Sequence, residues 1–384
     1  MTTLGTGLPR VDVMKPWLGA AEIAAITEVI ESGWVAQGPR VAAFETAFAD
    51  AMRARRAVAT SSCTTALHLA LVVAGIRQGD DVVVPSFSFV ATANAPTYVG
   101  ARPVFADVDL ATGNVTAETV AAALTPATRA VVAVDQGGMP VDLAAIRALC
   151  DPLGIVVIED AACAAGSTYH RRPVGAGAEI AAWSFHPRKI LTTGEGGMLT
   201  TSRPEWAARA KRLREHAMSV SAADRHASLV SPPEEYGEVG FNFRMTDLQA
   251  AVGLVQLGRL PEIVARRRQL ADRYRDELSG VPGLRLVEDP DWGTSNVQSL
   301  WLEVLPAYGT DREGLLLALA SAGVSARRGI MAAHRQPAHA GRSHVPLPVT
   351  ERLTDNTLIL PLFHQMTDAE LHRVVQGLRD HGRV

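Results

Sequence analysis

The chain has 384 residues, 47% apolar and 20% charged, with a formal net charge of −3. That length allows two or three domains around a large core, and the composition is that of an ordinary globular protein. The small net charge gives no basis for a nucleic-acid or membrane partner, and no apolar stretch reaches the length that spans a bilayer.

In chain order, Met1-Thr2-Thr3-Leu4-Gly5 has neither the basic nor the apolar region of a signal peptide, so none is expected. Between residues 57 and 202, continuous apolar runs at 82–84, 104–106, 130–134, 155–158 and 180–185 read as strands. Runs without alternation suit a parallel sheet covered on both faces, and helical patterns such as 64–75 and 142–150 fall between them as a βαβ series. Ser, Pro and Glu at 216–240 read as a long loop. Thr246 and Gln249 form a capping box that opens a helix with Leu248, Val252 and Val255 on one face. Ile263, Leu270, Tyr274 and Leu278 then line one side of a long charged helix ending at Gly280, the bridge to a smaller C-terminal domain. There, 300–304 and 324–326 read as strands and 311–322 and 367–380 as helices, with Thr367 and Glu370 capping the last. The expected division is a large domain over 1–255, N-terminal segment included, and a small one over 256–384. The pairs Arg55-Arg56 and Arg171-Arg172 and the triplet Arg266-Arg267-Arg268 read as solvated faces. Cys63, Cys150 and Cys163 have no metal or disulfide spacing, which suits a reducing cytoplasm.

Two features carry chemistry. Asp160 closes the apolar run at 155–159, and Lys189 follows in Ser184-Phe185-His186-Pro187-Arg188-Lys189, ahead of Thr192-Thr193-Gly194-Glu195-Gly196-Gly197. A carboxylate at a strand's end and a lysine on a glycine-bounded turn is the layout that pyridoxal phosphate (PLP) needs. The amine forms a Schiff base with the aldehyde, and the carboxylate keeps the pyridine nitrogen protonated so that the ring can draw off electrons. Ser61-Ser62-Cys63-Thr64-Thr65 opens a helix whose free amides suit a phosphate, and Phe87 or Phe89 could stack on a ring. Each feature alone has a plainer reading: a helix cap, core aromatics, a strand-end turn residue or metal ligand, a solvated lysine. Their order along one βαβ series is what points to the cofactor. Rival motifs are poorer. Gly175-Ala176-Gly177 lacks a third glycine for a dinucleotide loop, His334, His339 and His344 do not share a helical face for a metal, and no Gly-x-Ser-x-Gly elbow occurs.

The chain resembles the DegT/StrS type of nucleotide-sugar aminotransferase, within the fold-type I PLP enzymes. The likeness runs through Lys15-Pro16-Trp17-Leu18-Gly19, Ser32-Gly33-Trp34-Val35-Ala36-Gln37-Gly38-Pro39, Glu159-Asp160-Ala161-Ala162, the Lys189 motif, Gly240-Phe241-Asn242-Phe243-Arg244-Met245-Thr246-Asp247-Leu248-Gln249, Leu360-Pro361-Leu362 and Met366-Thr367. It implies an α/β fold with a mostly parallel seven-stranded sheet sandwiched by helices and a smaller C-terminal α/β domain. It implies Lys189 as the Schiff-base lysine, Asp160 as partner of the ring nitrogen and Phe89 stacked on the ring. The phosphate would be held by Cys63, Thr64, Thr65 and Ser184, with Asn242 reaching it from the other subunit of a homodimer. Cys163 stands where a glutamine is usual, so that cofactor contact is weakened or replaced; Cys63 stands where a glycine is usual, and its side chain limits how closely the backbone can approach the phosphate.

The reaction the resemblance implies moves an amino group from L-glutamate or L-glutamine to a nucleotide-linked keto sugar, with Lys189 as the proton carrier. Burial beside the cofactor is expected to lower the Lys189 pKa. A keto-cyclitol or other non-nucleotide ketone is the alternative acceptor. A PLP-dependent sugar dehydratase would carry histidine in place of Lys189, and a non-catalytic regulator would lack the lysine or the aspartate. His186, Arg327, Arg328 and His334 are the candidate substrate contacts, the last three in a small-domain loop that could face an anionic substrate. No metal is expected.

Overall fold

The computed structural model describes residues 9–220, 233–342 and 345–381. Helices α1 (Ala20–Ser32) and α2 (Pro39–Ala51) come first. A βα series follows: β1 (Arg56–Thr60), α3 (Cys63–Val73), β2 (Asp81–Pro85), α4 (Val90–Tyr98), β3 (Arg102–Ala106), α5 (Ala117–Ala123), β4 (Thr128–Val134), α6 (Leu143–Cys150) and β5 (Val156–Asp160). Two short strands, β6 (Thr168–Tyr169) and β7 (Arg172–Pro173), precede β8 (Ile180–Ser184), β9 (Gly197–Thr201) and α7 (Pro204–Leu213). The remainder is α8 (Asp247–Leu278), β10 (Leu284–Leu286), β11 (Gly293–Thr294), β12 (Trp301–Val304), α9 (Arg312–Ser321), β13 (Arg327–Arg328), α10 (Pro348–Asn356), β14 (Thr357–Ile359) and α11 (Asp368–Asp380).

The large sheet has seven strands in the order β1-β9-β8-β5-β4-β2-β3. The five strands from β8 to β3 run parallel, and β9 and β1 are antiparallel to their neighbours. All five residues of β2 and the four ahead of β8's final serine are buried, as strands covered on both faces must be. The carboxyl ends of β2, β4, β5 and β8 therefore lie along one edge, where ligands of open α/β sheets bind. A second, antiparallel sheet has the order β10-β12-β14-β13.

Several expectations need correction. Residues 324–326 form no strand: Val324 makes an isolated bridge to Val11, and the strand is the next pair, β13. In α8 Val252 is buried as expected, whereas Leu248 and Val255 are only partly buried and the deeper stripe runs through Asp247, Ala250, Gly253, Gln256 and Leu260. Gly253 sets that stripe, since a Cβ there would meet the Phe44 ring at 2.7 Å, so α2 lies tight against α8. Pro261 is accommodated, and α8 runs unbroken through the expected boundary at 255/256. Ile263, Leu270, Tyr274 and Leu278 are buried as expected. Arg267 is no solvated arginine: it is 2% exposed, inside the core. The N-terminal segment bonds to the stretches that flank β13 and β14, with Val11 N–H to Gly323 O (2.9 Å), Ser325 N–H to Val11 O (2.9 Å) and Leu362 N–H to Val13 O (3.1 Å).

Candidate active site

Asp160 ends β5 at 3% exposure. Thr92, one turn into α4, donates its hydroxyl to Oδ2 at 2.9 Å, and the Ala162 amide donates to Oδ1 at 3.2 Å. Ser88 Oγ lies 3.0 Å from the Thr92 hydroxyl and orients it. Burial raises the Asp160 pKa, and these two donors and Lys189 pull it back only in part, leaving it above the ordinary value. This carboxylate is under-compensated, which is the environment that accepts a protonated ring nitrogen.

Lys189 lies on the turn after β8, with its amide donating to His186 O at 2.8 Å. The turn is folded back by Phe185 N–H to Gly196 O (2.9 Å) and Thr193 N–H to Phe185 O (3.0 Å). Gly194 has φ +85° and Gly196 φ +157°, and a Cβ at Gly196 would strike the Thr193 hydroxyl and Met245. Only glycine fits there. The lysine Nζ donates to Cys163 Sγ at 2.9 Å. Burial pushes the amine's pKa down, but Cys163, Cys63 and Asp160 outweigh it and the net direction is upward. The expected lowering is thus reversed in the chain by itself, because burial is shared with three groups that favour the ammonium form. Cys163, at the glutamine position, serves as the partner of the lysine.

At the start of α3, Ser62 and Thr65 form the cap reciprocally: Thr65 N–H to Ser62 Oγ at 3.2 Å and Ser62 N–H to Thr65 Oγ1 at 3.1 Å. The hydroxyl of Thr65 is thereby occupied. The amides of Cys63 and Thr64, with no acceptor among the described residues, and the Thr64 hydroxyl remain for an anion. Gly197 of β9 makes room, since a Cβ there would collide with the Ser62 carbonyl. Ser184 pairs with Gly197 in the sheet register, and its Oγ accepts the His186 amide at 3.4 Å. Cys63 Sγ is 4.0 Å from Asp160 Oδ1, and burial, then Asp160, push its thiol pKa well up. Phe89 is 65% exposed at the head of α4, whereas Phe87 is buried in the core at 1%. Asn242 is exposed, and the backbone on either side of it is fixed by Phe241 N–H to Leu213 O (2.7 Å), Phe243 N–H to Arg214 O (3.0 Å) and Ser61 N–H to Phe243 O (2.9 Å).

Lys189, Cys163, Cys63, Asp160, Thr64 and Ser184 thus gather at the carboxyl edge of the sheet, and the geometry fits PLP: an amine, an under-compensated carboxylate and free amides at the start of α3. The substrate candidates are more dispersed. His186 accepts the Arg188 amide at Nδ1 (3.1 Å), with Nε2 3.8 Å from Glu195. His334 has both ring nitrogens engaged, with Ser86 at 2.7 Å and Glu351 at 3.2 Å. Arg328 is paired with Glu313. Partial burial, then Arg188 and Arg10, lower the Arg327 pKa, so three guanidinium groups share this flank of the Lys189 turn. His339 bonds Asn94 at 2.8 Å, His344 lies outside the described residues, and no cluster of metal-binding side chains occurs among the described ones.

Thr92, Asn296 and Gln298 went unread in the sequence. Asn296 Nδ2 donates to the carbonyls of Cys163 and Ala165, each at 2.8 Å. Gln298 accepts from the Ile190 amide at 2.9 Å and donates to the Arg188 carbonyl at 2.6 Å. Their only local signal is three polar residues in Ser295-Asn296-Val297-Gln298 ahead of an apolar strand, which equally describes a loop.

The family model of the DegT/DnrJ/EryC1/StrS aminotransferases matches residues 16–379. The aminotransferase TlmJ from Streptoalloteichus hindustanus is 39% identical, over 97% of this chain and 98% of that one, with a TM-score of 0.89. DesI, solved in the presence of its TDP-sugar product, is 31% identical over 98% of this chain and 93% of that one, with a TM-score of 0.89. Spr1654 from Streptococcus pneumoniae, in its PLP form, is 25% identical over 97% and 98%, with a TM-score of 0.90.

Proposed function

Because the chain belongs to the DegT/DnrJ/EryC1/StrS aminotransferase family and is a PLP-dependent sugar aminotransferase, we propose roles for its residues and a class for its substrates. The observation that carries the assignment is the buried Asp160 carboxylate beside an amine, Lys189, on the edge where β5 and β8 end. PLP, when bound, supplies an aldehyde for the amine and a ring that withdraws electrons. Lys189 would hold that aldehyde through its amine and, when free of it, would be the acid and base nearest the substrate Cα. Asp160, held by Thr92 and Ala162, would keep the ring nitrogen protonated. The Cys63 and Thr64 amides and Ser184 would hold the phosphate, and Phe89 would lie against the ring. Cys163 holds the Lys189 amine inside the site.

The donor in this proposal is L-glutamate or L-glutamine and the acceptor a keto sugar on a nucleoside diphosphate. The TDP-sugar product of DesI supports that acceptor class, as do the guanidinium groups of Arg327, Arg188 and Arg10 beside the Lys189 turn. Asn242 completes the phosphate site of a second copy, which makes the homodimer the active unit. The cytoplasm is the proposed compartment, in keeping with three free cysteines.

The test uses the chain's scarcity of lysine. Only Lys15, Lys189 and Lys211 occur, and Lys15 and Lys211 are ion-paired with Asp12 and Glu45. The purified protein is expected to be yellow and to be bleached by borohydride, with the reduced cofactor mapped to Lys189. An adduct on Lys15 or Lys211 refutes the assignment.

A further inference from the structure

The strap at 295–298 crosses from the small-sheet side to the active site, and its conformation is costly. Val297 has φ +53°, where a β-branched residue is strained. Such strain persists only where surrounding contacts impose it, and here the contact is Arg267 from α8. Its guanidinium donates to Val297 O at 2.9 Å from Nε and 2.8 Å from Nη2, to Gln298 O at 2.9 Å and to Leu362 O at 2.8 Å. No carboxylate among the described residues pairs with this buried charge. Three carbonyls take its donors instead, and two of them belong to the strap.

The strained turn brings two carboxamides to bear on the site from alternate positions. Asn296 anchors the Cys163 turn, and its own amide donates to Ser167 Oγ at 2.9 Å. Gln298 Oε1 takes the amide that follows Lys189, and Nε2 donates to the carbonyl that precedes it. A buried carboxamide must have both of its groups bonded, and this one spends them on the two peptide units that flank the chemical lysine. We infer that Gln298 is a positioning residue for Lys189, fixing the backbone from which the amine reaches the cofactor, and that Arg267 fixes Gln298 through the strap. The functional half of this inference rests on Lys189 as the cofactor-binding lysine.

The experiment uses Gln298→Met, which keeps length and removes both hydrogen bonds, and Gln298→Glu, which keeps an acceptor for Ile190 and loses the donor to Arg188. In the cofactor-free full chain, hydrogen exchange at the Ile190 amide is expected to quicken about tenfold or more in Gln298→Met, while the Val104 and Leu378 amides keep parental protection. On adding PLP, the rate at which borohydride-trappable cofactor appears on Lys189 is expected to fall about tenfold in Gln298→Met and about threefold in Gln298→Glu. Parental trapping rates in both variants overturn the inference, as does parental Ile190 protection in Gln298→Met. Equal loss of protection at Val104 and Leu378 means general loosening and also overturns it. If the parent itself carries the adduct on Lys15 or Lys211, the functional assignment fails, and the exchange arm alone decides whether Gln298 holds the turn.

Discussion

Asp160→Asn separates chemistry from folding at a single buried position. In the parent, Oδ1 accepts the Ala162 amide at 3.2 Å and Oδ2 the Thr92 hydroxyl at 2.9 Å. The asparagine oxygen can keep the Ala162 bond. Its NH2 faces Thr92, whose hydroxyl can turn to Ser88, 3.0 Å away, and accept instead of donate. No buried polar group need be orphaned, and a carboxylate that burial already disfavours is removed. The cofactor-free variant should therefore unfold within a few degrees of the parent, or above it. The ring nitrogen, however, loses its counter-charge. A loss of ~10²-fold in the rate of the first half-reaction, or about 2.7 kcal/mol of barrier, is expected. Stopped-flow measurement of the loss of yellow colour on mixing with amino donor reads the rate, and circular dichroism reads the unfolding temperature. Near-parental rates refute the role of Asp160. A collapse in thermal stability refutes the hydrogen-bond exchange with Thr92.

Two other outcomes test different parts of the molecule. Mixing inactive Lys189→Ala with impaired Asn242→Ala should restore part of the activity once subunits exchange, because a hybrid dimer then has one site carrying both defects and one carrying neither; no rescue in an exchanging mixture counts against the shared site. Glu159, buried with Oε2 unpartnered, has its pKa pushed from the ordinary 4.5 up to about 7 by burial, against the pull of the Gly175 amide. The folded chain holds this proton longer than the unfolded one, so the stability it confers is full below pH 4.5, is lost as pH rises towards 7 and stays lost above, by about 3 kcal/mol at most. Glu159→Gln cannot ionise, so the urea midpoint of the cofactor-free variant should exceed the parent's at pH 8 and match it at pH 4.5; an equal gain at both values contradicts the sign.

The parallel strands were legible because residues such as Val82, Val83 and Val84 are apolar without alternation, the pattern of a strand covered on both faces. Asp160 and Lys189 were legible because their chemistry demands those types in that order. Strand β9, Gly-Met-Leu-Thr-Thr, was not: it opens on a glycine needed for the Ser62 backbone and returns antiparallel, so it carries neither pattern. Capping and phosphate binding at α3 were set against each other as readings, yet they divide the atoms between them, with hydroxyls of Ser62 and Thr65 on the cap and amides left over. Arg267 was misread because a charged residue among arginines resembles a solvated face, and only the fold supplies three inward carbonyls for it. The roles of Gln298 and Asn296 depend on residues more than a hundred positions away, which no local window contains.

The bridge between the N-terminal segment and the stretch ahead of β13 bears on how the chain is made. Arg10 Nη2 donates to Ser325 Oγ at 2.7 Å across 315 residues, beside the Val11–Val324 bridge. A ribosome emits Val11 well before Val324, so this segment must wait for its partner while the large sheet assembles. Closing so long a loop costs entropy that local contacts do not repay. The last step of refolding is therefore expected to be the docking of this segment, and nascent chains halted before residue 324 should expose it to protease.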